Sequence, residues 1–416
     1  MEKIVLPNGV RVLMEWQAHA RTACFGVWAK SGSAYESKQV NGISHLIEHM
    51  VFKGTERRSA LDIAEEMDAI GGQMNAYTAS DYTCFYARTL SEHVEQAFDI
   101  LADMVTAPRF DPRDLELEKG VVLEEIGMSR DTPEERVAEN LYSSVWRDSS
   151  AGLPILGTEE SLKPMDAPLL HRYRAEKYAP DRLVAAICGR FDREAFLRQA
   201  ERFFAGIPAG NGQQEDCSIV YHKSCAIERC DQEQTHLCLC VPGVSTSDPR
   251  RHALSMLNII AGGSSSSRLF QRIREELGLA YSIYTITASF QGGGLFEIQT
   301  AVSPGADEQA CAEILKVLQT LRNGGVTQKE FTRAKEQLKS SLVMGMENAS
   351  SRVGHMGRNE LLRNRVKTED ELLEEINAVT IEGVCAAAQE LLALEQLSIS
   401  VVGPRVRGEF YQGVVG

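Results

Sequence analysis

Ser91-Glu-His-Val-Glu-Gln-Ala-Phe-Asp-Ile-Leu101 has an echo two hundred residues on, in Gly305-Ala-Asp-Glu-Gln-Ala-Cys-Ala-Glu-Ile-Leu315. A strand-like stretch precedes each copy, Thr83 to Arg88 in the first and Leu295 to Val302 in the second. Each copy therefore switches from a period of two to helical spacing at the same point. A short loop and a long amphipathic helix follow each, Asp111 to Met128 and then Thr327 to Met346. Upstream, a helix predicted over Gly42 to Phe52, with Ser44 as its candidate N-cap, matches in order one around Leu254 to Ile260. Such repetition marks a duplicated unit. Strands and helices mix without βαβ alternation, so the predicted class is α+β. It has two related halves, each an antiparallel sheet with helices packed on it.

The remaining elements fit this plan. Val5 to Leu13 reads as a hairpin turning at Pro7-Asn8-Gly9, and Thr22 to Lys30 alternates as a strand. A helix over Ala60 to Ile70 stops at Gly71-Gly72. Gln73 to Leu90 is rich in Tyr, Thr and Phe, which suits strands. A buried strand within Pro180 to Gly189 leads to a helix over Arg193 to Phe204. Pro208 to Asp216 is polar, Gly-rich and aperiodic, as linkers are. The predicted organisation is residues 1–210 as one domain, 211–222 as a linker and 223–416 as a related second domain.

Composition narrows the function. A chain of 416 residues with 43% hydrophobic and 25% charged residues can bury more than one core. The net charge of -14 argues against nucleic acid, whose phosphates require clustered Lys and Arg. It suits a protein kept soluble by self-repulsion, or a chamber that favours basic substrates. The start, Met1-Glu-Lys-Ile-Val-Leu-Pro-Asn-Gly9, lacks the basic and apolar regions of a signal peptide. No apolar run approaches the ~20 residues of a membrane helix. The ten cysteines include no C-x-x-C pair, which suits free thiols in a reducing compartment. A cytoplasmic location is therefore expected.

His45 and His49 stand i and i+4 on the predicted helix, one turn apart on one face, so both imidazoles can reach a single metal ion. Glu48, i+3 from His45, projects close to that face, where its carboxylate can take a proton from water. The order His-x-x-Glu-His inverts the commoner zinc motif. The bland alternative is a surface helix with two solvated histidines. A catalytic zinc needs a third protein ligand. Glu118 and Glu125, i and i+7, share one face of the long helix, and Val121 and Val122 are expected to line that side. Carboxylates on a buried face need a partner, either a metal ion or an Arg or Lys. Glu124 points about 100° away, so Glu125 is the better ligand.

His45-Leu-Ile-Glu-His49-Met-Val-Phe-Lys-Gly-Thr55, Gly71-Gly-Gln-Met-Asn-Ala-Tyr-Thr78, and Glu118 through Glu125 together resemble the pitrilysin or insulinase metallopeptidases, in their short, processing-peptidase-like branch. The resemblance covers nearly the whole chain. It implies His45, His49 and Glu125 as zinc ligands, Glu48 as the base and Glu118 as a carboxylate supporting the site. It implies an edge strand at Asn75 and Ala76 that pairs with an extended substrate. Arg274-Glu-Glu-Leu-Gly-Leu-Ala-Tyr281 is similar to the family's Arg/Tyr pair, which implies that Arg274 and Tyr281 help the second half complete the cleft and hold substrate. The implied protein is a zinc endopeptidase that cleaves short or unfolded peptides inside a chamber, as a homodimer or heterodimer; the net charge of -14 adds the expectation of basic peptides. The family also contains non-catalytic subunits and subunits active only beside a partner chain. The intact His45, Glu48, His49 and Glu125 argue against the first of these. A binding module with structural zinc is the reading from another class, but such zinc is normally closed by four ligands, mostly cysteine.

Overall fold

A computed structural model describes residues 1–209 and 219–416, so residues 211–218 of the predicted linker lie outside the described residues. The first half runs β1 (Glu2–Val5), β2 (Arg11–Trp16), β3 (Thr22–Ala29), α1 (Ile43–Val51), α2 (Ala60–Ala69), β4 (Gln73–Thr78) and β5 (Thr83–Leu90). It continues with α3 (Val94–Thr106), α4 (Pro112–Asp131), α5 (Pro133–Val145), α6 (Glu159–Leu162), α7 (Ala167–Lys177), β6 (Leu183–Gly189) and α8 (Arg193–Phe204). The second half runs β7 (Cys225–Arg229), β8 (Thr235–Pro242), α9 (Arg251–Ala261), a π-helical turn over Phe270–Glu276, β9 (Ala280–Ser289) and β10 (Gly294–Val302). Then come α10 (Asp307–Gly324), α11 (Gln328–Glu347), α12 (Ala349–Arg363), α13 (Glu369–Ala378), α14 (Ile381–Leu391), β11 (Ser398–Gly403) and α15 (Gly408–Val415).

The sheet orders are β1-β2-β6-β3-β5-β4 and β7-β11-β8-β10-β9. Without β1 the two orders have the same connectivity, so the duplication read from the sequence is a duplication of topology. The class is α+β, as expected. Each sheet is antiparallel except for one pair, β2 with β6 and β7 with β11. The strand-like stretch over Gln73 to Leu90 forms two strands, β4 and β5, paired antiparallel from Gln73↔Arg88 to Thr78↔Thr83.

Both faces of each sheet are covered. On β3, Ala23, Phe25, Val27 and Ala29 pack with α1 and α3, while Cys24 and Trp28 pack on the other face with Val353 and Met356 of α12. On β8, Leu237, Leu239 and Val241 join the core with α9, while Cys238 and Cys240 meet Val137 and Leu141 of α5. Each half thus lends a helix to the sheet of the other. Compact unit 1 is Met1–Ile126, Leu153–Asp216 and Met344–Val366; unit 2 is Gly127–Gly152, Cys217–Val343 and Lys367–Gly416. The boundary between the two sheets falls near the predicted linker, but these two lent helices cross it.

The lent helices are held by polar pairs as well as packing. In unit 1 the buried Glu360 of α12 meets Lys3 at 2.6 Å, and Gly357 lets the helix backbone come close to Trp28. A Cβ at Gly357 would lie 2.3 Å from the indole. In unit 2 Tyr142 of α5 donates to the buried Glu297 at 2.7 Å, and Asn140 donates to Glu228 at 2.8 Å.

The start of α1 corrects one expectation. Ser44 is not its N-cap; the cap is Gly42, at φ 88, and a Cβ there would meet Leu156 O at 2.6 Å. The orphan N–H groups find their acceptor in Glu36, which takes Gly42 N–H at 2.7 Å and Ser44 N–H at 2.9 Å. A carboxylate there also suits the positive end of the helix dipole. Burial pushes the Glu36 carboxyl up, and the bonds from Ser44 and Gly42 pull it back down.

Candidate metal centre

Helix α1 turns Ile43, Leu46, Ile47, Met50 and Val51 fully into the core. That fixes its roll and puts His45 and His49 on its flank. Helix α4 buries Leu115, Glu118, Val122 and Ile126. Val121, expected on that side, is 46% exposed, because one residue turns the helix by about 100°. Leu117 and Met128 are exposed as well. So α4 shows its apolar side chains on both faces, and the site-facing stripe is Glu118, Val122 and Glu125.

His45, His49 and Glu125 each offer a ligand atom within 4.8 Å of the other two. His45 Nε2 lies 3.7 Å and His49 Nε2 3.6 Å from Glu125 Oε2. Donors held tetrahedrally at zinc bond lengths of ~2.1 Å stand roughly 3.4 Å apart, so the three residues fit that ion. Their protonation fits too. Burial first, and then the neighbouring His49, push the His45 imidazole down to about 4, so it stays a neutral ligand. His49 Nδ1 lies 3.0 Å from Glu118 Oε1. An Nδ1–H given to that carboxylate leaves the Nε2 lone pair for a metal.

Glu118 is 5% exposed and has two partners. Besides His49 it meets Lys53 Nζ at 2.5 Å, so of the two partners foreseen for a buried carboxylate it takes the lysine. Glu125 takes neither an Arg nor a Lys among the described contacts and faces the two imidazoles instead.

Glu48 is partly buried beside this cluster, and its Oε2 accepts the Thr78 hydroxyl at 2.6 Å. Burial pushes its carboxyl up, and Glu125 adds to that; Thr78 and His49 oppose. A carboxyl raised in this way is a better proton acceptor than an exposed one.

Asn75 and Ala76 lie on β4, which is the edge of its sheet. Ala76 N–H is given to the Asn75 side chain at 2.8 Å. Arg274 and Tyr281 belong to unit 2 and are brought together there. The Arg274 guanidinium stands 4.8 Å from the Phe270 ring and 4.8 Å from the Tyr281 ring. The Tyr281 ring is 81% exposed. Sequence reasoning had assigned no role to Glu36, Lys53 or Thr78. Lys53, i+4 from His49, had a positional signal; Thr78, a strand residue 30 positions from Glu48, had none.

The insulinase (peptidase family M16) model matches residues 11–159, and the peptidase M16 inactive domain model matches residues 165–338. The chain is 39% identical over 404 residues to the uncharacterized zinc protease YmxG of Bacillus subtilis, covering 97% of this chain and 98% of that one. It is 35% identical over 412 residues to an uncharacterized zinc protease of Streptomyces coelicolor, covering 97% and 90%. The chain belongs to the insulinase family, peptidase family M16. Among solved structures, a peptidase M16 inactive domain from Pseudomonas fluorescens superposes at a TM-score of 0.91 with 22% identity, over 97% of this chain and 98% of that one. A protease from Helicobacter pylori gives 0.90 with 18% identity, over 97% and 99%. These two share the fold. Among the described residues, no helix is long and apolar enough to cross a membrane.

Proposed function

We propose that this chain is a zinc-dependent endopeptidase acting on short or unfolded peptides. The observation that carries the reading is the His45, His49 and Glu125 donor set with Glu48 beside it. Three protein ligands are the number a catalytic zinc takes, and relatives named zinc proteases support that metal. When bound, zinc supplies Lewis-acid chemistry: it acidifies water and polarises a carbonyl.

The chain's own residues do the rest. Glu48 takes the proton from the attacking water and returns it to the leaving amine. Glu118 fixes the His49 ring and balances Lys53. The open edge of β4 at Asn75 and Ala76 pairs with an extended peptide backbone, which is nearly blind to side chains. Arg274 and Tyr281, already stacked, serve as substrate-binding groups. The acting form is a dimer, homo- or hetero-, whose chamber admits unfolded chains and favours basic ones, in line with the charge of -14. The nine free cysteines among the described residues support a cytoplasmic location.

A second reading, a non-catalytic or partner-dependent subunit, is favoured by the likeness to a chain described as an inactive domain. The intact donor set and base weigh against it. Metal analysis of the purified chain, with mass-spectrometric mapping of cuts in a mixed peptide pool, separates the two. Zinc and cleavage by the chain alone support the peptidase. Zinc-free chain without cleavage supports the other. Equal rates on Arg-rich and Asp-rich peptides of the same length would remove the preference for basic substrates.

A further inference from the structure

Among the described residues strand β4 pairs only with β5, so one of its sides is open. In an antiparallel pair, alternate residues turn their N–H and C=O groups to the partner, and those between turn them outward. Ala76 gives its N–H to the neighbouring Asn75 side chain, which places it in the outward set. Thr78, two residues on, shares that set. Its hydroxyl donates to Glu48 Oε2 at 2.6 Å, and its backbone N–H also reaches the Glu48 carboxylate. Glu48 thus occupies the outward position that follows Ala76 on the edge.

The Thr78 side chain is itself held. Its β-branch restricts the side-chain torsion. Its hydroxyl lies 3.4 Å from Thr83 Oγ1, whose own proton goes to Ser31 O at 2.9 Å. Thr83 is fully buried and stands directly across from Thr78 in the β4–β5 register. Both hydroxyl protons are thereby committed, so buried Thr83 backs Thr78 by contact across the strands, and the hydrogen bond to the carboxylate comes from Thr78 itself.

We propose that Thr78 is a positioning residue, which fixes Glu48 at a set place in the register of the β4 edge. This rests on the peptidase reading, with Glu48 as its base. A peptide carbonyl that displaces the Asn75 side chain from Ala76 N–H stands one two-residue repeat, about 6.7 Å, from the position Glu48 fills. The peptide bond that meets the base is thereby counted from Ala76. Thr78 acts through Glu48 and takes no proton itself.

The test compares Thr78→Val, which keeps the shape and loses the hydroxyl, with Thr78→Ser, which keeps the hydroxyl. In Thr78→Val, kcat falls about 10- to 100-fold, the range for loss of a hydrogen bond to a charged group, while KM and zinc content stay at wild-type values. Its cuts in one long peptide spread over neighbouring bonds, and Thr78→Ser restores both rate and cut position. A wild-type kcat and cut pattern in Thr78→Val would overturn the proposal. So would a raised KM at unchanged kcat, or a Thr78→Ser protein as slow as Thr78→Val. A crystal structure of the zinc-loaded wild-type chain gives a readout independent of turnover: Thr78 Oγ1 remains hydrogen-bonded to Glu48, and a carboxylate turned away overturns the assignment. If wild type cleaves no peptide while that bond persists, the peptidase reading fails and the positioning contact stands.

Discussion

Glu118→Gln keeps the size and the acceptor oxygen of the side chain and removes its charge. In the native site that charge serves His49 Nδ1 at 3.0 Å and Lys53 Nζ at 2.5 Å. A hydrogen bond to a charged group contributes about 1.5–3 kcal/mol and a neutral one about 0.5–1.5, so the His49 bond alone loses roughly 1–1.5 kcal/mol. Lys53 is 37% exposed, so water resolvates its ammonium and folding changes little. Its positive charge, no longer balanced, then stands close to the ring that binds a cation. The expected loss of zinc affinity is about tenfold for Glu118→Gln and approaches 100-fold for Glu118→Ala, which also leaves Nδ1 without an acceptor. Competition against a zinc-binding chromophore at neutral pH measures both. Glu124→Gln, one helix position from the ligand and turned away, is the control. Zinc affinity of Glu118→Gln within about twofold of wild type would refute the role given to Glu118, because it would mean the His49 ring needs no carboxylate to hold it.

Three further outcomes are expected. His45 titrates near 4 in the folded chain against 6.5 for an ordinary histidine, so between those values the unfolded chain binds a proton that the folded one refuses. The metal-free protein is therefore fully stabilised above the higher value and loses on the order of 3 kcal/mol as pH falls to the lower; urea midpoints across that window show it, and His45→Gln flattens the dependence. Gly357→Ala drives a methyl group into the Trp28 indole and lowers stability by about 1–3 kcal/mol through the seating of α12, measurable as a drop in melting temperature. Removing zinc with a chelator abolishes cleavage but leaves the near-ultraviolet circular dichroism in place, because the cores around α1 and α4 do not depend on the ion; unfolding on chelation would instead mark a structural metal.

How much of this was legible beforehand follows from which contacts are local. The spacing of His45 and His49, and of Glu118 and Glu125, is set by the covalent period of a helix, so each pair was readable as sharing a face. That the two helices meet, across the 75 residues between His49 and Glu125, came only from the family resemblance. The two-half α+β plan was readable because the strand-to-helix switch recurs. The cap of α1 was not: Ser44 has the right chemistry, but any oxygen near the free N–H groups will do, and Glu36 arrives from a neighbouring loop. The exchange of α5 and α12 was equally hidden. An amphipathic helix announces that it needs a partner, not which sheet supplies one. Val121 misled because an apolar run on a helix covers more than one face. Thr78 reaches Glu48 through the packing of β4 on α1, a contact with no local pattern.

The most direct test is Glu48→Gln, with zinc content and peptide cleavage measured on the same preparation. Glu48 is not one of the three donors, so the variant should bind zinc as wild type does. Cleavage should fall by at least about 100-fold, the lower range for loss of a general base. A zinc-loaded Glu48→Gln protein that cuts peptides at the wild-type rate would contradict the assignment of Glu48 as the base.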